Sequence, residues 1–349
     1  MKSPTNVLVS IIIPCYNAAS TLERCLSSVV NQDYENLEII VVDDKSSDGS
    51  KEMIHRWGDK DPRIAHASHP VNRGVSSARN TGLRLFSGKY VMFVDADDRI
   101  NSDYVSTMVR SIQDADLACS AFTLQKQGLV PQYRSHGMSA SKLLIGRSIN
   151  EYLDNYFLRP YVYTMFVHCW GKLFHGSVIE NHSIFFDEKI SQLEDVNFVA
   201  RYLRHVKCVS FSEVAGYTQI HSTNGENLSS LSGLQGLNPL EDFLMALAPL
   251  RCLNDRSSVK TQGIYENNYS HFLVSMFVLF CLRMARRFWY APSRSVFWSI
   301  HRWVGAEKMR NHVRWYKNIQ GESVLIRFSL KNLPPILTTV ALLLVARHR

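Results

Sequence analysis

Two hydrophobic periods alternate along the first hundred residues. Val7 to Ile13 is an apolar, largely β-branched run stopped by Pro14, the pattern of a strand buried on both faces of a parallel sheet. Leu22, Cys25, Leu26, Val29 and Val30 then recur at helical intervals, and Ser20 with Glu23 has capping-box spacing. The pattern next predicts a strand over Glu38–Val42, a helix over Ser50–Trp57, a short strand near Ile64, a helix over Val75–Phe86 and a strand over Tyr90–Val94. This alternation predicts an α/β fold with a mostly parallel, doubly wound sheet and helices on both faces. Such sheets bind ligands at the carboxyl ends of their strands.

Polar residues gather at those ends: Cys15-Tyr16-Asn17, Asp43 to Gly49, and Asp95 to Asp98. Each cluster alone reads as an ordinary turn. Three at corresponding strand ends converge on one crevice and point to a site. From Lys126 to Arg147 the chain is polar and aperiodic, which predicts a loop or an acceptor-side insertion. Pattern returns at Ile149, and Ser229–Asn238 reads as a boundary, dividing a catalytic domain (1–228) from a helical C-terminal region (229–349).

In that region Phe272–Leu282 is apolar and is followed by Arg283, Arg286, Arg287, Phe288, Trp289 and Tyr290. It is too short to span a bilayer and suits a buried or an interfacial helix. Leu333–Val345, before Arg347-His348-Arg349, has the same character. Apolar faces beside Arg, Trp and Tyr suit the headgroup region of an anionic membrane, with ordinary helix packing as the alternative.

The composition, 46% hydrophobic and 20% charged, is that of a folded globular protein. A formal charge of +8 favours a polyanionic partner: nucleic acid, an anionic membrane or a diphosphate. Seven cysteines without a C-x-x-C pair suggest neither a zinc site nor a disulfide framework, and read as reduced and intracellular. The polar stretch Met1–Asn6 leads straight into the first strand, so no signal peptide is expected and the expected location is cytoplasmic. No glycine occurs between Pro14 and Ser20, which disfavours a Rossmann oxidoreductase.

Asp95-Ala96-Asp97 follows an apolar strand directly, so two carboxylates stand where Mn²⁺ or Mg²⁺ would bridge them to a diphosphate. Here a resemblance becomes specific. Val9 to Asn17, Ile40 to Ser50, Asn72 to Gly82 and Gly88 to Asp98 resemble, in order and spacing, the opening of the family 2 glycosyltransferases. The likeness is close over residues 7–120 and looser from Cys169 to Ser230.

The resemblance implies a GT-A fold and an inverting transfer from a nucleotide diphosphate sugar, UDP-linked by preference. The acceptor implied is a hydroxyl of a glycan or lipid-linked saccharide, in surface-polysaccharide or lipopolysaccharide synthesis. Peripheral attachment to the inner face of the cell membrane fits such an acceptor, and nucleic acid is not an expected partner. By resemblance, Pro14 and Tyr16 flank the base, with Asn17 beside them, and Asp44 accepts a hydrogen bond from uracil or ribose. Arg73 and Arg79 contact the nucleotide or stabilise its loop, a structural salt bridge being the alternative for Arg79. Asp95 meets the ribose or a metal-bound water, and Asp97 ligates the metal, with His221 as a further metal or phosphate contact. Trp170 faces the acceptor, Asp195 is the general base and Glu194 orients the acceptor, against a reading of Glu194-Asp195 as helix capping. The competing reading is an inactive GT-A-like basic module at the membrane. Intact Asp95, Asp97 and Asp195 count against it.

Overall fold

The computed structural model describes residues 7–160, 162–190, 192–221, 239–254, 259–290, 294–313 and 324–347. The chain forms two compact units, residues 1–149 with 164–250, and residues 150–163 with 251–349. The boundary expected at 229 lies outside the described residues.

The first unit is built on one ten-stranded sheet. Its parallel half is ordered β3 (Ile64–Ser68), β2 (Leu37–Asp43), β1 (Val9–Cys15), β4 (Tyr90–Phe93), as the alternation predicts. All seven residues of β1 are buried, because both faces of this central strand are covered. Ile11 and Ile13 join the core formed by α1 (Leu22–Val30) and α4 (Tyr104–Ile112). Ile12, on the opposite face of the pleat, meets α3 (Val75–Leu85) at Gly82.

Beyond β4 the sheet becomes mixed. The short β9 (Lys172–His175) pairs antiparallel with both β4 and β6 (Leu117–Lys126). β10 (Cys208–His221) then runs parallel to β6, and its far end pairs antiparallel with β5 (Arg99–Ile100). β9 therefore delivers the segment before it, and β10 the segment at its end, to the same edge that carries the parallel strand ends. A second core lies around Phe93, which meets Phe174, Phe186 and Phe198 edge-on at centroid distances of 5.9, 5.5 and 5.6 Å. Phe198 belongs to α7 (Glu194–Leu203), so this cluster fixes the helix that begins with Glu194-Asp195.

Two local expectations are corrected. Lys126–Arg147 contains β7 (Gln132–Arg134), added to β6, and β8 (Lys142–Ile145), added to β10. Strands of three and four residues are too short to show a period, and their partners are distant in sequence. The capping box does not form: α1 starts after Thr21, and Glu23 instead accepts from Trp57 Nε1 at 3.0 Å.

In the second unit, Tyr156 and Phe157 from the end of α5 (Arg147–Leu158) pack on Phe272 at 4.8 and 5.2 Å. Phe157 also meets Tyr265 and Tyr269. Phe272 lies in a helix spanning Val259–Tyr290, and Phe272, Val274, Phe277, Val278 and Cys281 are fully buried. The apolar run is thus interior packing, one of the two readings its sequence left open. Among the described residues no helix is long and apolar enough to cross a membrane.

Gly82 shows how tightly α3 sits on β1, since a Cβ there would overlap Ile12 Cγ2. Gly82→Ala should lower stability by about 1–3 kcal/mol, the usual cost of overpacking a filled core. Urea denaturation measures it, and an unchanged midpoint would show that Ile12 turns aside at no cost.

Candidate active site

Five loops meet at the carboxyl edge of the parallel strands. After β1, Asn17 takes a left-handed conformation (φ 48°), and its side chain accepts from Ser47 N at 2.8 Å while its own N–H donates to Ser46 Oγ at 2.9 Å. Asp48 adds a bond from Ala19 N, also at 2.9 Å. The β1–α1 loop and the loop after β2 are thereby laced together. Tyr16 stands 53% exposed between them, open to a flat ligand, whereas Pro14 is buried within β1 beside Val42. Of the two residues expected to flank the base, only Tyr16 is accessible.

Asp44 is buried, and its carboxylate closes the loop that leads into α3. It accepts from Arg73 N at 2.9 Å, Gly74 N at 2.6 Å and meets His69 Nδ1 at 2.6 Å. The carboxylate expected to meet uracil or ribose thus already has three internal partners. The exposed Arg73 side chain pairs with Glu188 at 3.0 Å, and Glu188 in turn accepts from Asn80 of α3 at 3.0 Å.

Arg79 is the centre of the site. Its guanidinium is 4% exposed and donates to Asp195 at 2.7 Å, Asp95 at 3.0 Å and Glu194 at 3.2 Å. The alternative expected for Arg79, a structural ion pair, is what forms. Asp195 is held at both oxygens, by Arg79 on Oδ1 and by Cys169 N on Oδ2 at 3.1 Å. Glu194 and Asp195 are also the first residues of α7, where the helix dipole favours negative charge. One cation does not neutralise so many acids. Burial and the neighbouring Asp195 push Glu194 up to about 7, and burial pushes Asp95 up to about 6 against the opposing pull of Arg79.

At the end of β4, carboxylate oxygens of Asp95, Asp97 and Asp98 lie within 4.8 Å of one another. Asp98 is spent internally, accepting from Tyr217 Oη at 2.6 Å and from Ile220 N at 2.8 Å. Asp95 keeps one oxygen beyond its bond to Arg79, and Asp97 is exposed, with Arg24 Nη2 on its carbonyl at 2.5 Å. His221, half-buried at the end of β10, is a neighbour of Asp97. An all-oxygen pair of carboxylates with open positions fits a hard divalent cation.

Trp170 is 3% exposed, its indole stacked between Tyr217 at 4.6 Å and His168 at 4.3 Å. Both ring faces are covered, and the indole forms an aromatic wall joining the acidic cluster to the turn before β9. Glu188, Tyr217 and Lys172 were not assigned roles from sequence. Tyr217 follows from the β10 register, which places it opposite Ile100, next to the acidic loop.

Residues 10–180 match the family described as glycosyl transferase family 2. The chain carries a family 2 glycosyltransferase domain. A glycosyltransferase of Streptococcus pneumoniae serotype 4, GlyA, is 34% identical over 181 residues, 49% of this chain and 25% of its own length. The poly(ribitol-phosphate) beta-glucosyltransferase of Bacillus spizizenii is 27% identical over 76% of this chain and 40% of its own length. The chain spans between 25% and 63% of the length of the first curated relatives it matches. Among solved structures, S. aureus TarS 1-349 in complex with UDP-GlcNAc superposes with a TM-score of 0.67 at 16% identity, covering 97% of this chain and 91% of that one. This last likeness establishes a shared fold.

The crowded carboxylates of the transferase domain make its stability pH-dependent. Glu194 has a higher pKa folded than unfolded, so its contribution is complete at acid pH and is lost as pH rises through about 7. Between pH 5 and pH 8, measured with chelator present, Glu194→Gln should gain about 1–3 kcal/mol relative to the parent protein. Urea midpoints across that range are the measurement. A difference that stays flat with pH would mean that Glu194 is ionised throughout.

Proposed function

We propose that this chain transfers a sugar, with inversion, from a UDP-linked donor to a hydroxyl of a glycan or lipid-linked saccharide in surface-polysaccharide synthesis. The observation that carries the reading is the position of Asp195, a carboxylate fixed at both oxygens beside the Asp95–Asp97 pair. The UDP-GlcNAc held by TarS and the activity named for the Bacillus spizizenii relative point the same way.

In this reaction the acceptor oxygen bonds to the anomeric carbon as the bond from that carbon to the diphosphate oxygen breaks. The acceptor proton passes to Asp195, and the bonding pair leaves on the diphosphate. A carboxylate offers about four lone-pair sites, so Asp195 keeps acceptor capacity for that proton beside its bonds to Arg79 and the Cys169 amide. Arg79 keeps Asp195 aimed while shielded from solvent. Mn²⁺ or Mg²⁺ on Asp97 and Asp95 would offset the charge of the departing diphosphate, with His221 as a further contact. Tyr16 supplies the exposed ring for the base.

The second unit suggests where this happens. On the helix Pro335–Arg347, Ile336, Leu337, Val340 and Leu344 share one face and are between 39% and 48% exposed. Exposed Lys331 precedes them and Arg347 ends the helix. An apolar stripe with cationic flanks suits the surface of an anionic bilayer, where a lipid-linked acceptor is confined.

Two variants separate the roles in catalysis. Asp97→Ala should abolish metal-dependent donor binding, whereas Asp195→Asn should bind donor normally and turn over at least about a hundredfold more slowly. Calorimetry with and without Mn²⁺, beside a transfer assay, reads both; normal turnover by Asp195→Asn would sink the assignment of the base. For location, Leu337→Glu with Leu344→Glu should weaken flotation with anionic liposomes by about tenfold or more. Equal flotation of variant and parent, or flotation of neither, would remove the stripe from any membrane role.

A further inference from the structure

Lys172 opens β9 and is 1% exposed, yet none of the ion pairs among the described residues includes it. A buried ammonium without a carboxylate in contact is costly. Burial pushes its pKa down, while Asp195 is one of the negative neighbours that oppose this. Such a group is kept in a core only where the fold uses it.

Its partners are two backbone carbonyls. Lys172 Nζ donates to the carbonyl oxygens of His168 and Trp170, the latter at 3.4 Å. These bracket Cys169. The peptide plane that carries the His168 carbonyl also carries the Cys169 N–H, and that N–H donates to Asp195 Oδ2 at 3.1 Å. The ammonium, one rigid peptide group and the carboxylate thus form a single hydrogen-bonded line, and bonds in such a line polarise one another. The turn is pinned at its other end as well. Gly171 adopts φ 70°, and its carbonyl accepts from Ser120 N at 3.0 Å.

We propose that Lys172 is a positioning residue for Asp195, acting through the His168–Cys169 peptide to hold and orient the carboxylate that receives the acceptor proton. The inference rests on Asp195 being the base. Arg79 restrains Oδ1 from the α3 side, and Lys172 restrains Oδ2 from the β9 side, so the plane of the carboxylate is defined from two directions. Without the ammonium the turn keeps its aromatic stack but loses the grip that aims the Cys169 amide.

The test uses the full chain with Lys172→Met, Asp195→Asn and the double variant, a UDP-sugar donor, and calorimetric donor binding to count folded sites. Lys172→Met should lower turnover per donor-binding site by roughly tenfold to a hundredfold, as expected for slight misplacement of a catalytic group, with donor Kd within about twofold. Added to Asp195→Asn it should cost nothing further, because both changes remove one function. Lys172→Arg, which keeps a cation at the same carbonyls, should retain more turnover than Lys172→Met. If Lys172→Met does not fold, Lys172→Gln takes its place with the same split expected. Normal turnover by the Lys172 variant beside a crippled Asp195→Asn overturns the positioning role and leaves the base intact. Further loss in the double variant also overturns it. Normal turnover by Asp195→Asn overturns both assignments.

Discussion

A single guanidinium, buried among three carboxylates from different parts of the chain, is the constraint on which the site depends. Arg79 comes from α3, Asp95 from the end of β4, and Glu194 and Asp195 from the start of α7. Without a central cation these acids would repel one another in a medium that screens poorly. With it, the helix bearing the proposed base is tied to the strand bearing the proposed metal ligands. The aromatic cluster around Phe93 provides the same tie in apolar form, since Phe93 and Phe198 lie on those two elements. Geometry and charge therefore reinforce one alignment.

The loops around the proposed nucleotide position are tied to one another by the protein's own hydrogen bonds. Asn17, Ser46, Ser47 and Asp48 bond across two loops, and Asp44 closes a third on the amides of Arg73 and Gly74. Ordering such segments on binding would consume interaction energy, and here that cost is already met in folding. The same bonds occupy many of the polar residues at the strand ends. They hold the shape of the cradle, leaving Tyr16 as its exposed ring.

Most of this architecture is legible in the sequence because it rests on periodicity and on one topological rule. The β1 run, the α1 and α3 regions and the acids after β4 follow from apolar spacing and from strand ends converging on one edge. The choice of partners is not legible. Arg79 pairs with residues more than a hundred positions away, and nothing local separates a guanidinium facing a nucleotide from one facing Asp195. The internal partners of Asp44 and Trp170 are illegible for the same reason: type and position are visible in sequence, but what covers a side chain is not. β7 and β8 escape because edge strands so short borrow their conformation from a neighbour.

The course of the chain between its two units has an evolutionary consequence. The backbone leaves the first unit after Ile149, contributes Asn150–Tyr163 to the second, returns at Thr164 and departs again after Leu250. The second unit is therefore not a detachable tail. A gene truncated at residue 251 would still encode Tyr156 and Phe157, now stripped of Tyr265, Tyr269 and Phe272. No single recombination breakpoint separates the helices from the transferase core, so the two are inherited together and a change in one is selected against the background of the other.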